Sequence, residues 1–60
     1  MQYIIYEANG AFAQVVETFT EYEYEEAIDY LTEIAQADAD EHYEGDFELA
    51  LSYYQLQKEN

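Results

Sequence analysis

Cysteine is absent from this 60-residue chain, and Lys58 is its only basic residue apart from His42. Without cysteine there is no disulfide framework and no thiolate metal site, so stability must come from a compact apolar core, from oligomerisation, or from both. Without basic side chains, most of the 15 Asp and Glu residues lack an ion-pair partner, and the formal net charge is −14. Direct binding to DNA, RNA or an anionic membrane is disfavoured by that sign of charge. No apolar run approaches the length of a membrane span, and Met1-Gln2-Tyr3 lacks the basic start of a signal peptide, so a cytoplasmic location is expected.

Half of the residues are apolar or aromatic, which is too many for a disordered acidic tail. One small α+β domain is expected over residues 1–60. Asn9-Gly10 supplies the two positive-φ positions of a tight hairpin turn. The flanking runs, 2–8 and 11–19, are rich in β-branched and aromatic residues, as strands require. A two-residue loop pairs Ala8 with Ala11, Tyr6 with Ala13 and Ile4 with Val15. Tyr3, Ile5, Glu7, Phe12, Gln14 and Val16 then share the other, mixed face.

Thr20 and Glu23 form a T-x-x-E capping box at the start of a helix expected over 21–37. Tyr24, Ala27, Ile28, Leu31, Ile34 and Ala35 recur at helical spacing, with Glu25, Glu26, Asp29, Tyr30 and Glu33 opposite them. Residues 38–46 read as an acidic connector. Residues 47–57 carry both an alternating and a helical pattern. A hairpin alone supports a helix poorly, so a third strand there is favoured. The expected fold is an antiparallel three-stranded sheet with one helix on a face, ββαβ, with ββαα as the alternative.

Chemistry-bearing constellations are few. His42 is the only histidine and has no Ser or Cys nucleophile motif beside it; one His among scattered acids is no zinc signature. The acidic stretch fails as a calcium loop. Placing Gly45 at the invariant sixth position of an EF-hand makes Asp40 the first ligand but puts Leu51 where a bidentate Glu is needed. No catalytic residue, metal ligand or cofactor site is therefore assigned, and a non-enzymatic protein is expected.

What remains is the acid itself. Glu25, Asp29 and Glu33 stand at i, i+4 and i+8, with Glu26 beside them. Such side chains lie about 5–6 Å apart at Cβ, of the order of the phosphate spacing along a nucleic-acid strand. No Lys or Arg interrupts the acids from Glu7 to Glu48. Asp38, Asp40, Glu41 and Glu44 flank the row. The eight tyrosines exceed what a small core absorbs. Tyr22, Tyr30 and Tyr43 are expected to be available to a partner, since tyrosine is enriched at interfaces and packs on guanidinium groups. If uncovered, the mixed sheet face of Tyr3, Ile5, Phe12 and Val16 is a sticky patch and a dimer face.

Small size, no cysteine, a ββαβ pattern and extreme acidity together resemble the phage-encoded nucleic-acid mimics. That broad group includes many anti-CRISPR and anti-restriction proteins and some inhibitors of DNA-repair glycosylases. The resemblance is one of composition and size over the whole chain. It implies a stoichiometric inhibitor in a bacterial cytoplasm whose partner is a basic, nucleic-acid-binding host protein. Two other readings stand beside it. One is a homodimerising interaction module that uses the Tyr-rich sheet face. The other is a salt-adapted acidic protein with no electrostatic target.

Overall fold

The computed structural model describes residues 1–9 and 11–60, Asn9 through its backbone alone. Gly10, and with it the Asn9-Gly10 turn, lies outside the described residues. The elements are β1 (Gln2–Asn9), β2 (Phe12–Thr20), α1 (Tyr24–His42), α2 (Phe47–Leu51) and β3 (Tyr54–Glu59). The strands form one antiparallel sheet of order β2-β1-β3. The fold is ββαβ, with the short α2 added before the last strand. Residues 47–57, expected as one strand, divide into a helix and a later strand. The alternation of Phe47, Leu49 and Leu51 is overridden because the Asp46 carboxylate accepts from the Leu49 N–H at 3.1 Å, capping α2, and because Ala50 is buried.

The hairpin register differs from the expected one. Ala8 pairs with Ala13, Tyr6 with Val15 and Ile4 with Thr18, with a bulge opposite the Ile5–Tyr6 step. Near the turn the shift is two residues, so the facing of Phe12 to Val15 is as expected, while beyond the bulge the alternation of β2 is reversed, which turns Phe19 to the Tyr3 and Ile5 face and Thr18 to the Ile4 face. Tyr3, Ile5, Phe19 and Leu56 therefore share one face, and Ile4, Tyr6, Val15 and Thr18 the other.

Helix α1 covers the first of these faces. Tyr3 packs on Tyr24 with ring centroids 5.0 Å apart, and Phe19 on Tyr30 at 5.7 Å. Ile5 is wholly enclosed. The face expected as a sticky dimer patch is thus largely core: Tyr3 and Ile5 lie under the helix, and Val16 is half-buried. Only Phe12, beside the turn, stays 77% exposed. The physical reason is size. The mixed face carries the larger apolar groups, and the helix buries more by sitting there.

Thr20 to Glu23 forms a turn leading into α1. The Thr20 N–H donates to the Glu23 carboxylate at 2.8 Å, half of the expected capping box. That hydrogen bond holds the Glu23 carboxyl below its ordinary pKa. The helix starts at Tyr24 and runs to His42, five residues beyond its expected end. It continues because Ala39 is buried and because Asp38 accepts a hydrogen bond from the Tyr54 hydroxyl of β3. At its end the Ala39 carbonyl accepts from the Tyr43 and Gly45 N–H groups, and Glu44 and Gly45 take positive φ of 54° and 82°. Ala50 of α2 fills the remaining space beside α1.

The molecule is two layers thick, with Cα extents of 35 × 26 × 13 Å. Its core is thin. Among the described residues the buried apolar side chains are Ile4, Ile5, Ala27, Ala35, Ala39 and Ala50, and only Ile5 is both large and fully enclosed.

Candidate protein-binding surface

The outward face of α1 is built by the same periodicity that makes its inward stripe. Ala27, Ala35 and Ala39 are buried, while Glu25, Glu26, Asp29 and Glu33 are all exposed on the far side. The longer helix changes the extent of this surface. Asp40, expected in a loop, lies seven residues after Glu33 and so on the same side of the helix, two turns on. From Glu25 to Asp40 the row spans about 22 Å at 1.5 Å per residue. Its five carboxylates average one per about 4–5 Å of axis, against one per about 3.4 Å for a single DNA strand. The row is broken at Gln36, whose side-chain amide donates to Asp40 at 3.2 Å.

The rest of the expected set divides. Glu41 and Glu44 are exposed and extend the acidic surface past the helix end. Glu41 lies 3.7 Å from His42, and both are largely in solvent. Asp38 instead faces inward, half-buried, and is engaged by Tyr54. Of the tyrosines expected to be free, Tyr22 is 87% exposed. Tyr30 is half-buried against Phe19. Tyr43 stacks on Tyr53 with centroids 5.4 Å apart and planes 13° from parallel. The structure therefore brings Glu25, Glu26, Asp29, Glu33 and Asp40 into one array and withdraws Asp38, Tyr30 and Tyr43 from it.

Beneath the C-terminal half of α1, Tyr54 and Tyr43 sit beside acids. Burial first, and then the hydrogen bond to Asp38 and the charges of Asp38 and Glu7, push the Tyr54 phenol well above its ordinary pKa. Tyr43 is raised as well, chiefly by burial. Tyr6 is raised on the opposite face, first by its 2.5 Å hydrogen bond to Glu59. Tyr54 and Tyr6 are neutral donors that hold the Asp38 and Glu59 carboxylates in place.

Lys58, the chain's lone lysine, lies on β3 opposite Tyr3 and forms no ion pair among the described residues. The acidic row is thus unneutralised along its length. A shallow concavity of about 360 Å³ lies between the strands and the α2–β3 turn, lined by Tyr6, Ala8, Ala13, Ser52, Tyr53, Tyr54 and Gln55. No ionisable acid or base stronger than tyrosine lines it. Among the described residues, no helix is long and apolar enough to cross a membrane, and no three His, Asp or Glu side chains converge as a metal site.

No protein-family model matches this chain, nor does any curated protein or solved structure.

Proposed function

We propose that this protein is a non-enzymatic inhibitor that occupies the basic nucleic-acid groove of a partner protein, with α1 standing in for a phosphate strand. The observation that carries this reading is the row Glu25, Glu26, Asp29, Glu33 and Asp40. It is exposed, free of Lys and Arg, and rigidly spaced on one helix face. Such a row presents carboxylates to the Lys and Arg groups that otherwise hold phosphates. Complementary fields speed encounter, and neutralising the groove's cations releases their counterions. Tyr22, beside the first turn, offers an exposed ring for a guanidinium plane. The partner class is a nucleic-acid-binding protein of a bacterial host, in defence or in DNA or RNA processing, and phage origin fits that role.

The test is displacement. The wild-type protein competes with labelled nucleic acid for such a partner, and competition weakens as salt rises. The variant Glu26→Lys, Asp29→Lys, Glu33→Lys keeps its fold, because all three positions are exposed, and no longer competes. Undiminished competition by the triple variant would sink the assignment.

A further inference from the structure

The eight tyrosines are more than this thin core uses, and among the described residues two tyrosine pairs are in ring contact. The pairs differ in geometry. Tyr3 and Tyr24 meet with planes 56° apart, so the edge of one ring leans on the face of the other. Tyr43 and Tyr53 have centroids 5.4 Å apart and planes only 13° from parallel, an offset stack. Tyr43 caps the C-terminal end of α1, and Tyr53 lies in the turn between α2 and β3. Backbone bonds pin both positions. The Tyr43 N–H donates to the Ala39 carbonyl at 3.0 Å, and the Tyr53 carbonyl accepts from the Ala8 N–H at 2.8 Å. The stack is open to solvent on one side, since Tyr53 is 41% exposed and Tyr43 is half-buried.

We infer that Tyr43 and Tyr53 form an oxidative cross-linking site, at which a peroxide-driven one-electron oxidant joins the two rings as an intramolecular dityrosine. Each phenol gives up one electron and its proton, and one hydrogen peroxide is reduced to two waters. The two phenoxyl radicals bond through the ring carbons ortho to oxygen. Each of those carbons then loses its hydrogen as a proton, and each oxygen regains one. Both hydroxyls are restored, and the product is two hydrogens lighter.

Three features favour this pair. Near-parallel faces bring ring carbon over ring carbon, the approach that the new bond needs, whereas the tilted Tyr3–Tyr24 contact does not. The charges of Asp38 and Glu7 act on Tyr43, and negative charge beside a ring favours removal of an electron from it. Repulsion directs the coupling inward. Each copy bears −14, so radicals on two copies meet slowly at low salt, while the stacked partner is already in place.

The cross-link joins residues ten positions apart in the chain and ties α2 to the end of α1, where Ala50 is buried. In a chain without cysteine it supplies the covalent staple that small domains otherwise take from disulfides. It stands independently of the proposed function, because neither tyrosine belongs to the acidic row.

The test treats the whole chain with a peroxidase and hydrogen peroxide at about 10 mM salt, where the screening length is about 30 Å. The result expected is a monomer two hydrogens lighter, with dityrosine fluorescence and a cross-linked peptide pair containing Tyr43 and Tyr53. Its urea midpoint rises by about 1–3 M, the shift for closing a loop of this length. Tyr43→Phe and, separately, Tyr53→Phe keep the ring stack and lose this product, with circular dichroism confirming that each is folded. Tyr22→Phe, which removes the most exposed tyrosine, retains it. A wild-type monomer of unchanged mass overturns the inference. So does a cross-link mapped to another pair, a product that survives either Phe substitution at 43 or 53, or coupling that yields only covalent dimers. An oxidised monomer with an unchanged urea midpoint overturns the stapling.

Discussion

Asp29 lies four residues from Glu25 and from Glu33 and three from Glu26, all exposed on α1. Like charges at these spacings destabilise a helix by about 0.2–0.5 kcal/mol per pair, and opposite charges stabilise it by a similar amount. Reversing Asp29 therefore swings three pairs by about 0.4–1 kcal/mol each. The Glu25 pair gains most, because the acid then precedes the base by four residues. The Glu33 pair gains least, because its order is reversed. We expect Asp29→Lys to stabilise the protein by about 1–3 kcal/mol at low salt, which raises Tm by roughly 5–25 °C in a domain of this size. At about 1 M salt most of that gain disappears, since the screening length is then about 3 Å. Thermal unfolding followed by circular dichroism at the two salt concentrations reads both numbers. An Asp29→Lys protein no more stable than wild type at low salt refutes the picture of a close, unneutralised row. A gain that persists undiminished at high salt refutes its electrostatic origin. If the gain is found, the row is a feature that the fold tolerates at a cost, as expected of a surface kept for a partner.

Two further predictions concern the core and the tyrosines. Ile5→Val is expected to cost about 0.5–1.5 kcal/mol and Ile5→Ala about 2–5. Small domains without staples rarely hold more than about 3–5 in total, so urea titration should find Ile5→Ala largely unfolded and Ile5→Val folded but weakened. A near-native midpoint for Ile5→Ala contradicts the placement of α1 over Ile5. Because the folded Tyr54 phenol is raised above its unfolded value near 10, its contribution is complete below about pH 10 and is lost as pH climbs towards the folded pKa. Alkaline titration of tyrosinate absorbance should show a late-ionising tyrosine that Tyr54→Phe removes. An unchanged titration in that variant contradicts the Tyr54–Asp38 link.

The parts of the fold legible in the sequence were those set by local pattern. The hairpin strands and the apolar stripe of α1 follow from alternation and from the spacing of Ala27, Leu31 and Ala35, whereas Thr20 and Glu23 pointed to a helix from residue 21 and instead hold a turn before α1 starts at Tyr24. What escaped was set by distant contacts. Ala37-Asp38-Ala39-Asp40 looks like a linker because aspartate is a poor helix former and suits a helix C-terminus badly. Its helicity depends on burial of Ala39 and on Tyr54, sixteen residues further on. The same distance in sequence hid Asp40 as part of the acidic row, although its seven-residue spacing from Glu33 was a signal. Which sheet face the helix covers was also obscure near the turn, where Ala8, Ala11 and Ala13 make the other face look like core. The deciding bulk lies away from the turn, in Tyr3, Phe19 and Leu56. Tyr30 and Tyr43 could not be separated from Tyr22 by type alone; their aromatic partners Phe19 and Tyr53 tie them down.

The acidic row of α1 as a phosphate-like ligand is tested most directly by its partner. The wild-type chain and its Glu26→Lys, Asp29→Lys, Glu33→Lys variant are immobilised in parallel, exposed to a nuclease-treated bacterial lysate and eluted with a salt gradient. The wild-type column alone is expected to retain a nucleic-acid-binding protein, which moderate salt releases and its own nucleic acid displaces from the column. Equal retention by both columns, or retention that nucleic acid does not reverse, would contradict the account.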